Sequence, residues 1–336
     1  MSIVGIIANP ASGKDIRRLV AHASVFDNNE KINILQRILL ALDAIGVKQV
    51  SIMPDYYGLG ERALDGIRLA SMHAALIDMP MTSSDLDSTV AAQRLAEMNA
   101  GSIIVLGGDG TNRVAAKGSG DVPIVPVSTG TNNVFPTMVE GTVAGMAAGL
   151  IAMGMVPVEV VTYRAKRLDV YLDDQLADMA LIDVVTSTDL FIGTRAIWHP
   201  SHIREIILSQ AEPGRIGLSA VGGCFRTVRA RDPHGMFLSV GAGGAPILAP
   251  MGPGLVTRVP IRSHRMLAIG DDVQLDPEIG TIALDGERQI ELFADQSVRV
   301  RLTDQGPRVV DISHCMEEAT RRGVFQQLGQ LGSQKE

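Results

Sequence analysis

The sequence predicts an α/β N-terminal domain on a mainly parallel sheet, followed by a β-rich C-terminal domain. Three observations point there. Short apolar runs in the first half alternate with helical patterns, as strand-helix-strand units require. After Val156 the texture changes to closely spaced strand-like runs divided by Gly, Pro and Asp turns. The 336-residue chain is 46% hydrophobic and has no low-complexity tract, which suits two ordered domains. Residues 1–150 are expected to form the α/β domain and 151–310 the β-rich domain. Residues 311–336 are expected to form a C-terminal helix that packs back on the first domain.

The expected parallel strands are residues 3–8, 50–53, 74–77, 103–106 and 124–127, each short, apolar and bounded by turns. Between them, Ile32, Leu35, Ile38, Leu39 and Leu42 recur at helical spacing and stop at Gly46. Val90, Leu95 and Met98 form a second helical pattern behind Asp85 and Asp87. Residues 141–158 carry no charge and imitate a membrane span in length. Gly145, Gly149 and Gly154 followed by Pro157 instead predict a buried small-residue helix ending near Met153, with a strand starting at Val156. Further strands are expected at 158–163, 167–172, 179–185, 237–240, 266–269, 281–284 and 298–302. Residues 201–210 read as the helix of this half, 315–331 as a last helix, and 332–336 as a frayed end.

Charge and composition exclude several classes. A net charge of −7 argues against a protein that neutralises nucleic-acid phosphates, and one Trp, four Tyr and seven Phe leave little for base stacking. Two cysteines, Cys224 and Cys315, make neither a disulfide framework nor a zinc cluster. With a strand at Ile3 and no basic segment before it, the expectation is a cytoplasmic protein with no signal peptide and no membrane partner.

The chemistry lies in turns after strands. Asn9-Pro10-Ala11-Ser12-Gly13 looks like a phosphate loop, but Gly5 lies eight positions before Gly13 and Lys14 is followed by Asp15. A Walker loop needs four intervening residues and a Ser or Thr hydroxyl after the Lys, so that reading fails. Gly107-Gly108-Asp109-Gly110-Thr111-Asn112 connects a strand to a helix and brings backbone N–H groups and a helix terminus to bear on an anion. Asp109 would repel phosphates unless it has another task, and a proton acceptor beside a transferring phosphoryl group is one. One strand later, Ser128-Thr129-Gly130-Thr131-Asn132-Asn133 offers hydroxyls and amides suited to ribose or phosphate. A parallel sheet would gather these turns beyond the carboxyl ends of its strands.

Other groups carry weaker signals. Lys14, Arg17 and Arg18 suit either phosphates or a solvated helix face, and His199 with His202 lacks a third metal ligand. Asp285-Gly286 reads as a hairpin turn.

These residues resemble the ATP-NAD kinase superfamily, which NAD kinases share with diacylglycerol and sphingosine kinases. The resemblance rests on Gly107–Thr111, on the Asn-Pro-x-Ser-Gly turn at residues 9–13 and on the Gly-Thr-x-Asn run at 130–133. Residues 180–185, 239–250 and 259–264 are similar to later stretches of the family, and the overall pattern looks closest to its acetoin-catabolism protein X group. It implies an NAD kinase-like two-domain architecture, ATP and Mg²⁺ as cofactors, NAD or another nucleotide as partner, and a homo-oligomer. Asp109 would be the catalytic base. Nucleotide would meet Asn9, Pro10, Ser12, Gly107, Gly108, Gly110, Thr111, Asn112, Thr129, Gly130, Thr131, Asn132, Asn133, Asp183, Ser239, Gly241 and Gly243. No protein carboxylate cage for the metal is visible, so substrate phosphates would hold it. Ile182 stands where NAD kinases carry an Asn, so Ile182→Asn is expected to strengthen NAD binding. The alternatives are a lipid kinase of the diacylglycerol type and a non-catalytic nucleotide-binding regulator.

Overall fold

The computed structural model describes residues 2–13, 26–130, 132–188, 200–275, 280–293 and 295–332. Its first half alternates as the apolar runs require. The elements are β1 (Ile3–Ala8), α1 (Asn28–Ile45), β2 (Gln49–Ile52), α2 (Leu59–Asp65) and β3 (His73–Leu76). They continue with α3 (Leu86–Glu97), β4 (Ser102–Gly107), α4 (Asp109–Gly118), β5 (Ile124–Ser128) and α5 (Gly141–Ala152). Local chemistry sets the helix ends. Asp27 caps α1 by accepting from the Glu30 N–H, and Gly46, at φ 93°, ends it in the left-handed region.

The second half runs α6 (Val158–Val161), β6 (Thr162–Arg164), β7 (Arg167–Leu172), β8 (Gln175–Ala180), β9 (Asp183–Ser187) and β10 (Ile203–Leu208). Then come α7 (Leu218–Phe225), β11 (His234–Gly252), β12 (Leu255–Ala268), β13 (Asp272–Leu275) and β14 (Gly280–Leu284). The last elements are β15 (Glu287–Leu292), β16 (Val298–Thr303), β17 (Arg308–Val310), α8 (Ile312–Arg321) and α9 (Val324–Gly332).

Three sheets result. The first has the order β3-β2-β1-β4-β5-β17-β6, parallel throughout except for β6. The others are antiparallel, β12-β11-β10-β9-β14-β15 and β13-β16-β7-β8, and they face each other across Leu168, Val170, Val184, Ile207, Leu284 and Val300. The architecture is the expected one, a parallel α/β half and a β-rich half. On one face of the parallel sheet lie α1, α2, α5 and α8. On the other, α3 and α4 pack with Met179, Leu181 and Ile182 from the second half, so a single apolar cluster joins the two.

Three local expectations are corrected. Residues 201–210 are not a helix but β10, preceded by a short 3-10 turn at Pro200–His202. Hydrogen-bonded to β9 and β11 on its two edges, this strand carries Ile203, Ile206 and Ile207 at i, i+3 and i+4, a spacing that imitates the apolar face of a helix. The strand expected at 179–185 is broken at Leu181-Ile182, where the chain passes from one antiparallel sheet to the other. The strand expected from Val156 is a helical turn, α6, that leads into β6. Residues 14–25, 131, 189–199 and 333–336, with Lys14, Arg17, Arg18, Thr131 and His199, lie outside the described residues. Among those described, no helix is long and apolar enough to cross a membrane. Both cysteines are free.

The small-residue helix α5 exists to approach α1. A Cβ on Gly145 would stand 2.8 Å from the Ile38 carbonyl oxygen. Val differs from Gly in helix propensity by only a few tenths of a kcal/mol, so at this site overpacking decides the outcome. Gly145→Val is expected to destabilise the fold by about 1–3 kcal/mol in urea unfolding. An unchanged midpoint would show that the two helices separate freely.

Candidate functional site

Three turns meet at the carboxyl edge of the parallel sheet, and each is tied to the next. After β1 the Asn9 side chain folds back, its Oδ1 accepting from the Ala11 N–H at 2.8 Å. That fixes the amide so that Nδ2 donates to Thr111 Oγ1 in the turn after β4, at 3.0 Å. Ser12 Oγ donates to the Asn9 carbonyl and accepts from Thr129 Oγ1, after β5, at 3.0 Å. Gly13 closes the first turn at φ 69°, and a Cβ there would stand 2.7 Å from the Thr129 carbonyl oxygen. Pro10 is buried beneath it.

The second turn starts α4. Gly107 ends β4 and Gly108 is the helix N-cap, lying against Asn133. Asn112 Nδ2 donates to the Gly108 carbonyl, while its Oδ1 is buried without a hydrogen-bond donor. In the third turn, Asn133 Nδ2 donates to Ser128 Oγ and to the Gly130 carbonyl. The Asp109 carboxylate accepts the N–H groups of Val134, at 3.0 and 3.1 Å, and of Phe135, at 2.8 Å. Hydrogen bonds of this kind hold a carboxylate in place.

Opposite these turns stands the β14–β15 hairpin. Asp109, Asn132, Asp183, Asp285 and Gly286 line one narrow cleft with Gly217, Leu218, Ser219 and Met251. Asp183 is buried and accepts from the Gly286 N–H at 3.1 Å. The Glu287 carboxylate reaches the glycine turn, within 3.6 Å of where a Cβ on Gly110 would be. Asp285 is fully buried and collects the N–H groups of Leu181, Ile182 and Asp183. Burial pushes its carboxyl up from the usual range, against the pull of Arg113 and those N–H groups.

Most of the expected site residues therefore converge, but one set does not. Ser239 and Gly241 line a different hollow with Glu205, Arg204 and Arg262, and Gly243 touches nothing within 4 Å of its Cβ position. His202 is exposed, and no group of three or more metal-ligating side chains occurs among the described residues. Sequence reasoning missed Asp285, Gly286 and Glu287. The signal was present in Asp-Gly, but it was read as a turn alone. It is a turn, with Asp285 at φ 51° and Gly286 at φ 79°, and it also carries Asp285 into the cleft and Glu287 to the glycine turn.

A larger hollow of about 380 Å³ opens beyond the ends of β1, β2 and β3. Asn9, Pro10, Asp55, Ser84 and Asp87 are among its walls. Asp55 accepts the Tyr57 and Leu59 N–H groups, yet burial leaves its carboxyl raised.

The ATP-NAD kinase N-terminal domain family matches residues 4–155, and the acetoin catabolism protein X C-terminal domain family matches residues 166–305. Acetoin catabolism protein X of Cupriavidus necator is 38% identical over 343 positions, covering 98% of this chain and 95% of that protein. Yeast NADH kinase, in its crystal structure with NADH, has a TM-score of 0.51 over 95% of this chain and 86% of its own. At 14% identity that likeness is one of fold.

Ile182 reverses the expectation for its substitution. Its side chain, 1% exposed, sits in the apolar cluster that joins the two halves, and it does not line the cleft. Ile182→Asn would bury an amide there, at a cost of about 1–3 kcal/mol. The variant is expected to unfold at lower urea with no gain in nucleotide affinity by calorimetry. Tighter binding in a variant of parental stability would place this side chain in the cleft.

Proposed function

The chain belongs to the acetoin catabolism protein X family, and on that footing we propose that it is an ATP-dependent phosphotransferase acting on a ribose hydroxyl of NAD or a related dinucleotide. One observation carries the reading: the turns after β1, β4 and β5 are bonded to one another, and Asp109 from one of them shares a cleft with Asp183. Phosphoryl transfer needs little covalent help from a protein. It needs positioning, charge neutralisation and a group that takes the hydroxyl proton.

The cleft at Asp109 has only about 40 Å³ of internal space, room for a reacting hydroxyl and no more. The body of a nucleotide suits the larger hollow beyond β1 to β3, which shares Asn9 with the phosphate turns. Gly107, Gly108, Gly110 and Thr111 would then hold phosphates, with Thr129, Gly130, Asn132 and Asn133 orienting the ligand and Asp183 meeting a ribose. Mg²⁺ fits as a companion of the phosphates, because both Asp109 oxygens already accept N–H groups and the described residues hold no dedicated cage. Bound there, it would neutralise charge on the transferring group. The yeast enzyme that shares the fold holds NADH, which supports a dinucleotide as acceptor.

Asp109 is the proposed proton acceptor. A second reading, a nucleotide-binding regulator without turnover, is favoured by those same N–H bonds, which occupy both Asp109 oxygens and suit a structural role. Glu287, beside Gly110, is a further carboxylate close to the glycine turn.

Purified protein with Mg²⁺-ATP and NAD is expected to form a phosphorylated dinucleotide, and ATP is expected to raise the melting temperature by binding the folded state alone. Asp109→Asn should lower turnover by about 10²–10⁴-fold while Mg²⁺-ATP binding holds. Loss in Glu287→Gln alone would move the base to Glu287. Full activity in both variants would end the catalytic reading, and ATP binding without product from any alcohol would leave the regulator.

A further inference from the structure

Lys31 is a buried cation that the proposed chemistry leaves unused. It lies in the first turn of α1, fully buried, and among the described residues its ammonium donates to four oxygens. Three are backbone carbonyls of the turn after β1: Asn9 at 2.9 Å, Pro10 at 3.1 Å and Ser12 at 2.6 Å. The fourth is Asn28 Oδ1 at 3.0 Å. An ammonium has three protons, so these acceptors exhaust it, and it has none to offer a ligand.

We propose that Lys31 is a positioning residue, which folds the turn after β1 around its ammonium and thereby aims the Thr111 hydroxyl at a ligand phosphate. The inference rests on the nucleotide reading above. Its steps follow from donors and acceptors. Pulling the Asn9, Pro10 and Ser12 carbonyls to one point curls the turn. Curled, it lets Asn9 Oδ1 accept from the Ala11 N–H. The Asn9 amide is then oriented, and Nδ2 must donate to Thr111 Oγ1. Thr111 therefore accepts through its oxygen and keeps its own proton for another acceptor. Thr129 differs, because its proton goes to Ser12 Oγ. Of the two threonines, Thr111 is the donor left to an incoming anion. A phosphate oxygen accepts such a bond and a nucleoside's apolar base face does not, so Lys31 acts on the polyphosphate part of the ligand.

The test compares AMP, ADP and ATP, each with Mg²⁺, by calorimetry on the parental protein, Lys31→Met and Lys31→Gln. The parental protein is expected to bind more tightly with each added phosphate. In Lys31→Met the ATP-to-AMP affinity ratio should fall about tenfold, as the loss of one or two hydrogen bonds implies, with AMP affinity nearly unchanged. Lys31→Gln, which keeps two donors, should fall between and provides the same comparison if the Met variant fails to fold. Equal weakening of AMP and ATP, or an unchanged ratio in a folded variant, overturns the proposal. Amide hydrogen exchange at Ala11 and Ser12 separates the clamp from the nucleotide reading. Faster exchange in Lys31→Gln is expected, and parental exchange rates overturn the clamp whatever binds. A parental protein that does not distinguish ATP from AMP overturns the nucleotide reading itself, and the aiming role with it.

Discussion

Everything around the cleft depends on one buried carboxylate. Asp285 has no exposed side-chain surface, and an isolated charge in such a place is untenable. It is made tolerable by N–H groups of Leu181, Ile182 and Asp183 and by Arg113, whose Nε lies 3.7 Å away. Arg113 is just as buried, and its Nη1 bonds Asp178 at 3.2 Å. Breaking a buried pair of this kind typically costs about 3–5 kcal/mol, because the abandoned charge stays behind. The pair therefore acts as a geometric constraint. Arg113 comes two residues after the glycine turn on α4, while Asp285 heads the hairpin from the other half. Joining them sets Asp183, Gly286 and Glu287 against Asp109 and Gly110.

The same carboxylate explains a break in the chain. Asp285 takes the N–H groups at Leu181-Ile182, the point where β8 ends and β9 begins in another sheet. A strand passing between two sheets leaves amides without ladder partners, and buried amides must be satisfied. Asp285 supplies the acceptor, so one residue resolves a backbone problem and holds the cleft. Lys117 strengthens the attachment through Asp178 at 2.6 Å, which gives α4 a second hold on β8.

What was legible in the sequence follows from the range of the interactions involved. Parallel strands announced themselves as short apolar runs, and the turns after β1, β4 and β5 as glycine, hydroxyl and amide residues, because both patterns are local. β10 was misread since Arg204 and Glu205 leave Ile203, Ile206 and Ile207 at helical spacing, without the period-two alternation that marks strands. Glu287 and Asp285 were missed for another reason. Their partners, Gly110 and Arg113, lie more than 170 residues earlier, and nothing local in Asp-Gly-Glu tells a cleft from a turn. Ser239 and Gly241 stand apart from that cleft: a glycine-rich stretch that looked like a ligand loop is strand, with Gly241 making room for the Arg262 guanidinium. Lys31 was invisible because a lysine in a helix is ordinarily solvated.

The position of α1 links the core to the phosphate turns. Its Ile34 and Ile38 carbonyls lie against Gly141 and Gly145 of α5, so at these two points backbone closely approaches backbone. Close-packed helices transmit displacement, because interiors are packed as densely as crystals. Lys31 sits at the other end of that contact, one turn before Ile34, with its ammonium fixed on the Asn9, Pro10 and Ser12 carbonyls. A sliding of α1 by a few tenths of an ångström would alter three short hydrogen bonds at once, since their strength falls steeply with distance and angle. The small-residue face of α5 is thus more than filler for the core. It sets the height at which α1 stands, and through Lys31 that height sets the shape of the turn that ties Thr111 to Thr129.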